Sequence, residues 1–347
     1  MPLHWNNNIQ KGDAIITFSR KDIFRIKSAV EKATKFKAAV IYGNLPPETR
    51  ADQANLFNDP DGQLEILVAS DAIGMGLNLN IKRILFATIE KFNGLELAQL
   101  SSSQIKQIGG RAGRFGTQFE DGTVSAFNPN DLKKIIAAFK MPVKQIGKFE
   151  RIPLTLGKAG VAPSQIQILK LSEILGTSDL SVIFRKFQEL TQLTSDFFIC
   201  DLDQQIASAD MIASIDLTMG DRFTLVNAPS NYKIRPLSQA FLAMVESYSL
   251  KAPITISNLL KGSPLVPANN SYELNSLEIA HKILVLYQYL AQRFPFFEDE
   301  DECVSLKAEC EFLIDDCLHR LGDTARRGPI AEGAKNLLIM DNSDDDY

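Results

Sequence analysis

Short apolar runs, each followed by a charged stretch, fill the first 150 residues of the chain. Runs of four or five residues rich in Val, Ile and Ala predict strands that are buried on both faces of a parallel sheet. The charged stretches between them, such as residues 21–34, predict connecting helices. The predicted strands are residues 14–18, 38–42, 66–69, 84–87 and 123–127. Strands that alternate with helices predict an open α/β sheet, whose sites lie at the carboxyl ends of its strands.

Beyond Pro142 the apolar positions follow the period of amphipathic helices, with few strand patterns. Two helices are predicted to begin at residues 162–164 and at residues 178–179. Three more are predicted to span residues 237–249, 276–293 and 302–321. This pattern predicts an all-α region after the α/β domain. The predicted parts are an α/β domain at 1–150, a helical domain at 151–265, a helical hairpin at 266–330 and a disordered acidic tail at 331–347.

The composition and net charge of the chain exclude some classes of protein. The chain has 347 residues, of which 45% are hydrophobic and 23% charged, so it can bury an ordinary globular core. Its net charge is −5, from 37 Lys and Arg against 42 Asp and Glu. That balance argues against binding nucleic acid through bulk positive charge, so any such binding needs a local groove. We expect no membrane partner, since the sequence has no run of 18 apolar residues.

Three of the four cysteines recur every seven residues. Cys303, Cys310 and Cys317 therefore lie on one side of a predicted helix. Zinc sites typically contain closer pairs such as C-x-x-C, and the sequence has none. The spacing predicts buried, reduced thiols and no metal site.

The segment at residues 107–116, QIGGRAGRFG, is the strongest chemical signal. Arg111 and Arg114 are three residues apart, so on a helical turn they would project from one face. The glycines around them would leave a bare platform that another surface could approach. Two guanidinium groups in this arrangement suit a polyphosphate and are typical of arginine fingers, which stabilise a transferring phosphoryl group. A solvated loop or a nonspecific RNA-binding patch is the alternative interpretation.

Two other groups of residues follow predicted strands. Ser70 leaves the third strand and offers a hydroxyl to a phosphate, and Asn78 could bond a ribose hydroxyl. Ser19 and Arg20 follow the first strand, and Gly43 follows the second. Each of these positions alone could be an ordinary helix cap. Their shared place at strand carboxyl ends instead favours a groove that follows a nucleic-acid backbone. A dinucleotide-binding loop is disfavoured, because G-M-G at 74–76 lacks the third glycine of G-x-G-x-x-G.

In this order, the segments resemble motifs IV, IVa, V and VI of superfamily-two helicases. The segments that carry the resemblance are residues 16–19, 41–47, 69–78 and 107–114. The complete sequences of these segments are similar to those of the mitochondrial degradosome type of RNA helicase. The likeness continues at residues 196–200 and 286–294. It covers nearly the whole chain. Ser70 stands where the family usually has Thr, which keeps the hydroxyl.

The resemblance implies a RecA-like fold for residues 1–150 and an ATP-dependent RNA helicase that unwinds RNA for 3′–5′ degradation. It implies that Arg111 and Arg114 are catalytic and bind ATP together with Asn78 and Gln107. The RNA strand would lie near Ser19, Arg20, Gly43 and Ser70. The implied partners are single-stranded or partly duplex RNA and a mitochondrial exoribonuclease. The implied location is the mitochondrial matrix, although the sequence shows no targeting segment.

One departure from the family is serious. The sequence contains neither G-x-x-x-x-G-K-[S/T] nor D-E-x-[H/D], which cradle the ATP phosphates and position Mg²⁺. We therefore expect the chain to be the C-terminal half of a motor whose first RecA-like domain holds the Mg²⁺ and most of the ATP. Two rival hypotheses are a catalytically inactive RNA-binding adaptor and a nucleotide-dependent oxidoreductase.

Overall fold

A computed structural model describes residues 9–74, 76–141 and 157–323 of the chain. The described residues form two compact units. The first unit contains residues up to 141 together with 267–274 and 313–323, and the second contains residues 157–266 and 275–312. The predicted tail at 331–347 lies outside the described residues. The predicted domain boundaries stay predictions.

A five-stranded parallel sheet forms the centre of the first unit. The strands of this unit are β1 (Asp13–Ile16), β2 (Lys37–Ile41), β3 (Leu64–Ala69), β4 (Arg83–Phe86), β5 (Glu90–Phe92), β6 (Leu97–Gln99) and β7 (Thr123–Ala126). The sheet order is β2-β3-β1-β4-β7, and β5 and β6 form a separate antiparallel hairpin. The five strands read from the sequence are confirmed, so the predicted α/β class is correct.

Four helices flank this sheet. They are α1 (Arg20–Ala33), α2 (Pro47–Asn58), α3 (Ser102–Gly109) and α4 (Pro129–Lys140). The helices α2, α3 and α4 share one core cluster with strand residues such as Ile16, Ile41 and Phe86. Alternate strand residues, such as Ile15 and Val40, are fully buried outside that cluster, as expected for the second face of a parallel sheet. The buried residues of α1 are also absent from the cluster, which places α1 on this second face.

Strand β2 is an edge strand, so its outward polar groups need partners from outside the sheet. The amide of Val40 donates to the side chain of Gln53 at 2.9 Å. The amide of Ala38 donates to Glu31 at 3.0 Å, and the carbonyl of Ala38 accepts from Lys27 at 2.7 Å. Lys27 and Glu31 also pair with each other at 2.7 Å, with their side chains 3% and 4% exposed. Side chains of α1 and α2 thus close the edge and prevent pairing with another strand.

The remaining elements confirm the predicted all-α character of the later residues, with one addition. The helices are α5 (Gln165–Leu175), α6 (Leu180–Leu190), α7 (Asp203–Met211), α8 (Met219–Val226), α9 (Arg235–Ser249), α10 (Ile256–Leu259), α11 (Ser271–Ala291) and α12 (Glu300–Asp323). The addition is a parallel pair of short strands, β8 (Ala159–Val161) and β9 (Phe197–Ile199). Three residues are too few to produce a recognisable alternation in the sequence. No helix in the described part of the chain combines the length and apolar character that a bilayer crossing requires.

The segment at residues 286–294 has a structural role within the second unit. Tyr287 is fully buried, and its hydroxyl donates to the carbonyl of Ile254 at 3.0 Å. The same hydroxyl accepts from the amide of Asp299 at 3.0 Å. The ring of Phe297 packs edge-on against Tyr287, with centroids 4.8 Å apart. Tyr287 therefore holds the start of α12 to the segment that precedes α10.

Cys303, Cys310 and Cys317 are buried free thiols, as predicted, and Cys200 is half-buried. The thiols of Cys303 and Cys310 donate to the carbonyls of Leu284 and Leu277 on α11, at 3.5 and 3.2 Å. Burial raises the pKa of Cys303 and of Cys310 to about 12, and the pKa of Cys317 to about 11. All three thiols therefore stay protonated at neutral pH.

Thiol labelling tests this burial. At pH 8, iodoacetamide should modify Cys200, which is only half-buried, much faster than the three thiols of α12. All four should react after unfolding in urea. Intact mass measured over time gives the number of labels per chain. Rapid labelling of two or more thiols in the folded protein would contradict this assignment.

The C-terminal residues of α12 belong to the first unit and extend its edge network. Gln53 donates its amide to Asp315 at 2.8 Å, and His319 pairs with Asp315 at 3.4 Å. The bond to Asp315 raises the pKa of His319 above its ordinary value of 6.5. Burial alone would raise the pKa of Asp315, but hydrogen bonds from His319 and Gln53 outweigh it and lower that pKa below 3.8.

These shifts predict a pH-dependent contribution to stability. A raised histidine pKa stabilises the fold fully below pH 6.5, and this stabilisation is lost as the pH rises through the folded pKa. The lowered Asp315 pKa stabilises the fold above pH 3.8. His319→Gln should therefore reduce the free energy of urea unfolding more at pH 6 than at pH 8.5. An equal reduction at both pH values would show that the pair does not titrate as described.

Candidate nucleotide and nucleic-acid interface

Ser19, Gly43 and Ser70 lie at one edge of the sheet, after the carboxyl ends of β1, β2 and β3. These strands are neighbours in the order β2-β3-β1. The ladder continues past their ends, because the amide of Ser70 donates to Ile41 at 2.9 Å and the amide of Thr17 donates to Ala69 at 3.0 Å. The three segments are therefore adjacent, as the sequence predicted. Their role in binding RNA stays a prediction.

Both serines at this edge also serve the local backbone. The hydroxyl of Ser19 accepts from the amide of Asp22 at 3.3 Å and caps α1. The hydroxyl of Ser70 accepts from the amide of Ala72 at 3.1 Å and is 9% exposed. Each hydroxyl keeps its own proton for donation, because these bonds use only its oxygen as an acceptor.

Arg20 and Gly43 offer two different surfaces at the same edge. The guanidinium of Arg20 lies over the rings of Phe24 and Tyr42, 5.9 and 5.7 Å from their centroids. Gly43 is exposed and its φ lies outside the left-handed region. A Cβ atom at Gly43 would meet nothing within 4 Å. Neither the backbone conformation nor packing within the described chain therefore requires glycine at this position.

The prediction that Arg111 and Arg114 share a helical turn is wrong. Helix α3 ends at Gly109 with Gly110 as its cap. Gly113 has a φ of +75°, which no residue within a right-handed helix adopts. The amide of Gly113 donates to the carbonyl of Ile81 at 2.8 Å instead of bonding within a helix. Sequence spacing alone could not distinguish this turn from another helical turn.

The glycines near the arginines do not form a bare platform either. A Cβ atom on Gly109 would lie 2.7 Å from the ring of Phe139, so this glycine allows α3 to pack on α4. A Cβ atom on Gly113 would lie 2.4 Å from the backbone amide of Gly122. Two of the glycines are therefore needed for packing inside the unit.

The two arginines have different environments. Arg111 is half-buried and its guanidinium donates to the carbonyl of Gly74. Arg114 is exposed, and within the described residues its guanidinium has no hydrogen-bond or ion-pair partner. The exposed amide of Gln107 lies over Gly74, its nitrogen 3.8 Å from where a Cβ atom would stand. Asn78 is also exposed, and only its backbone carbonyl has a described bond, from Asn58 at 2.7 Å.

Arg114 does not lie at the carboxyl edge of the sheet with the serines. Its neighbour Gly113 bonds to Ile81, two residues before β4 begins, and Thr123 at the start of β7 bonds to Lys82 at 3.1 Å. Arg114 is therefore near the amino ends of these strands. A four-residue strand is about 13 Å long, so roughly that distance separates Arg114 from the opposite edge. The expectation that the sites of this sheet lie at the carboxyl ends of its strands therefore does not hold for Arg114.

Two features of the interface were not predicted from the sequence. Lys91 on the hairpin pairs with Asp71 at 2.6 Å, beside Ser70. Phe115, next to Arg114, is 94% exposed. The position of Phe115 between Gly113 and Gly116 is the sequence signal that could have identified it.

The interface does not provide the usual ligands of Mg²⁺. The side chains named for the nucleotide are guanidinium and amide groups, whereas Mg²⁺ binds mainly through carboxylates, phosphates and water. The nearest acidic residue on the β3 exit, Asp71, is already paired with Lys91. This donor set does not fit a Mg²⁺ site.

Three protein-family descriptions match the chain. "Helicase conserved C-terminal domain" matches residues 3–116. "Suv3 C-terminal domain 1" matches residues 207–249, and "ATP-dependent RNA helicase SUV3 C-terminal domain" matches residues 274–320.

Curated relatives cover most of the chain. It is 35% identical over 317 residues to the ATP-dependent RNA helicase SUV3, mitochondrial, of Oryza sativa subsp. japonica, which covers 91% of this chain and 53% of that protein. It is 35% identical over 323 residues to the ATP-dependent RNA helicase SUPV3L1, mitochondrial, of Homo sapiens, with 91% and 40% covered. The chain thus spans about half the length of these relatives or less. The solved C-terminal domain of the DEAD-box protein Dbp5 matches 38% of this chain and 69% of that chain at 17% identity, with a TM-score of 0.30 that adds nothing further.

Proposed function

Because the chain belongs to the SUV3 family of superfamily-two helicases, we propose that it supplies the second RecA-like domain and the C-terminal region of an ATP-dependent RNA helicase. ATP would bind between a P-loop domain and the face that carries Arg111 and Arg114. The P-loop domain would hold the phosphates and Mg²⁺, since the guanidinium and amide groups named for the nucleotide do not fit a Mg²⁺ site. RNA would lie across the carboxyl ends of β1, β2 and β3.

The observation that carries this proposal is the segment from Ser70 to Gly74. At its start, Ser70 extends the ladder of the RNA-facing edge through its bond to Ile41. At its end, the carbonyl of Gly74 accepts from Arg111. A single 3-10 turn, Asp71–Gly74, connects the two. A shift of RNA at Ser70 would therefore reach Arg111 through four residues of backbone, which is the coupling that a motor requires.

The two arginines would act differently on the nucleotide. Arg111 is already held by Gly74, so it would present its remaining N–H groups to a phosphate in a fixed orientation. Arg114 has no described partner and would reach the γ-phosphate when the P-loop domain closes. Its positive charge would then stabilise the negative charge that develops on the transferring phosphoryl group. Gln107 and Asn78, both exposed, would contact the nucleotide from the same face.

On the RNA side the contacts would be to the strand's backbone. Ser19 and Ser70 would donate their hydroxyl protons to phosphates, and Arg20 would add positive charge. Gly43 would let the strand approach the sheet edge closely, since its φ and surroundings do not explain its identity. Such contacts do not discriminate between bases.

The cellular setting rests on resemblance and on the relatives' names. The names of the rice and human relatives contain the word mitochondrial, which supports a mitochondrial location, and we extend this to the matrix. Unwinding of RNA for 3′–5′ degradation, with a mitochondrial exoribonuclease as partner, follows from the resemblance to degradosome helicases. The rival adaptor hypothesis is disfavoured by Arg114, because a nucleic-acid adaptor has no use for an exposed guanidinium remote from the RNA edge.

Gly43→Val should weaken RNA binding without destabilising the fold. A Cβ atom at Gly43 meets nothing within 4 Å in the described chain, whereas a valine side chain would obstruct a strand at the edge of the sheet. We expect about a tenfold loss in affinity for fluorescent single-stranded RNA, or ~1.4 kcal/mol. The wild type should bind two unrelated RNA sequences equally and lose affinity steeply with salt.

The matched control is Gly157→Val, since a Cβ atom at Gly157 also meets nothing within 4 Å. This variant should bind RNA as the wild type does, and both variants should keep the wild-type melting temperature. Equal RNA binding by Gly43→Val and the wild type would remove Gly43 from the proposed groove.

Arg114→Ala should abolish turnover in a complete motor, made by joining a P-loop domain to this chain. Its contact forms mainly in the transition state, so kcat should fall by roughly 10³-fold or more with a small change in KM. Arg114→Lys should restore little, because a point charge cannot replace a bidentate guanidinium. RNA affinity without nucleotide should not change, since Arg114 is remote from the RNA edge.

Arg25→Ala provides the charge-matched control, because Arg25 is 73% exposed on α1. It should leave kcat unchanged. The chain without a P-loop domain should show no RNA-stimulated ATP hydrolysis. If Arg114→Ala loses RNA affinity but keeps saturated turnover, Arg114 is an RNA contact and the assignment is wrong.

A further inference from the structure

Phe115 is the most exposed of the large hydrophobic residues in the described part of the chain. Its side chain is 94% exposed, although a phenyl ring gains substantially from leaving water. The ring directly follows Arg114, which is also exposed. The ring is therefore accessible to a ligand that arrives from outside the described chain.

The turn that carries Phe115 is fixed by hydrogen bonds. The amide of Arg114 donates to the carbonyl of Phe119 at 2.8 Å. The carbonyl of Arg114 accepts from the amide of Thr117 at 3.2 Å and from its hydroxyl at 2.8 Å. Gly116 has a φ of +75° and its amide donates to Glu120 at 3.3 Å. The backbone on both sides of Phe115 is thus held in place, and the ring is presented rather than loosely attached.

The location of this turn limits what the partner can be. Phe115 adjoins Arg114, near the amino ends of β4 and β7. The RNA-facing residues lie at the opposite edge of the sheet, about 13 Å away by the length of a strand. An RNA base held at that edge would not reach the ring. A ligand that brings negative charge to Arg114 would reach it.

We propose that Phe115 stacks on the base of the nucleotide whose phosphates Arg114 and Arg111 contact. This inference rests on the proposed function. A nucleoside triphosphate combines a polyanionic end with a flat π-surface, which are the chemical counterparts of Arg114 and Phe115. The ring has no hydrogen-bonding group, so it favours any base over none and does not distinguish one base from another. Phe115 is therefore a nucleotide-positioning residue that gives the motor affinity without base selectivity.

The test compares variants of Phe115 in the complete motor with its P-loop domain. Phe115→Ala and Phe115→Leu should raise KM for ATP by roughly 5- to 100-fold, the range expected for loss of one aromatic–base stack. Saturated kcat should change little. Phe115→Trp should retain the wild-type KM, because it keeps an aromatic face. The wild type should turn over ATP, GTP and UTP with similar KM values.

Inorganic triphosphate, which has no base, separates stacking from other contacts. Its inhibition constant against ATP turnover should be the same for the wild type and every Phe115 variant. If Phe115→Leu keeps the wild-type KM, or if inhibition by triphosphate weakens in parallel, the ring packs on protein and the inference is overturned. Weaker RNA binding with an unchanged KM for ATP would also overturn it, in favour of an RNA base.

Arg114→Ala, measured alongside, distinguishes the two levels of the argument. Normal turnover in Arg114→Ala would refute the proposed function itself. Lost turnover in Arg114→Ala together with an unchanged KM in the Phe115 variants would refute only the stacking of the base.

Discussion

The hydrogen bond from Arg111 to the carbonyl of Gly74 links the segment that carries the arginines to the turn that follows β3. Gly74 ends a turn that begins beside Ser70, and Ser70 continues the ladder between β2 and β3. This bond adds a link to the turn after β3 to the backbone bonds that the arginine segment makes with Ile81 and Phe119. The arginine segment is thus held from two sides, by α3 through the amides of Arg111 and Ala112 and by the turn after β3 through Gly74.

The outward N–H and C=O groups of the edge strand β2 need hydrogen-bond partners, and polar side chains supply them. Lys27, Glu31 and Gln53 satisfy the outward groups of β2, and Asp315 of α12 bonds Gln53 in turn. A buried charged pair such as Lys27 and Glu31 adds little net stability compared with apolar packing, but losing one partner is costly. The network therefore fixes where α1, α2 and the end of α12 lie more than it strengthens the fold. This network secures β2, and Gly43 lies just after the end of that strand.

The sequence predicted the strands well because buried parallel strands leave an unmistakable apolar run, and Ile66 to Ala69 is an example. It also predicted that the segments after β1, β2 and β3 meet, because carboxyl ends of parallel strands share an edge. It could not predict the turn at Gly113, since the φ of a glycine and its contact with Gly122 depend on distant residues. Nor could it predict that the arginine segment bonds at the amino end of β4, which sets Arg114 away from Ser70, or the exposure of Phe115.

If the chain acts as proposed, the contrast between a held Arg111 and an unpaired Arg114 has a physical reason in catalysis. A donor that is fixed before the substrate binds loses no entropy when it contacts the phosphates, so it serves binding and orientation. A donor that is free in the open state loses rotamer entropy on contact. That cost is acceptable only where the contact strengthens as negative charge develops, which is in the transition state. Because the turn from Arg114 to Phe119 is closed by backbone bonds, the freedom of Arg114 is confined to its side chain. Under the proposed function, closure of a P-loop domain would have to order one side chain and not a loop, which would keep the entropic penalty of each catalytic cycle small.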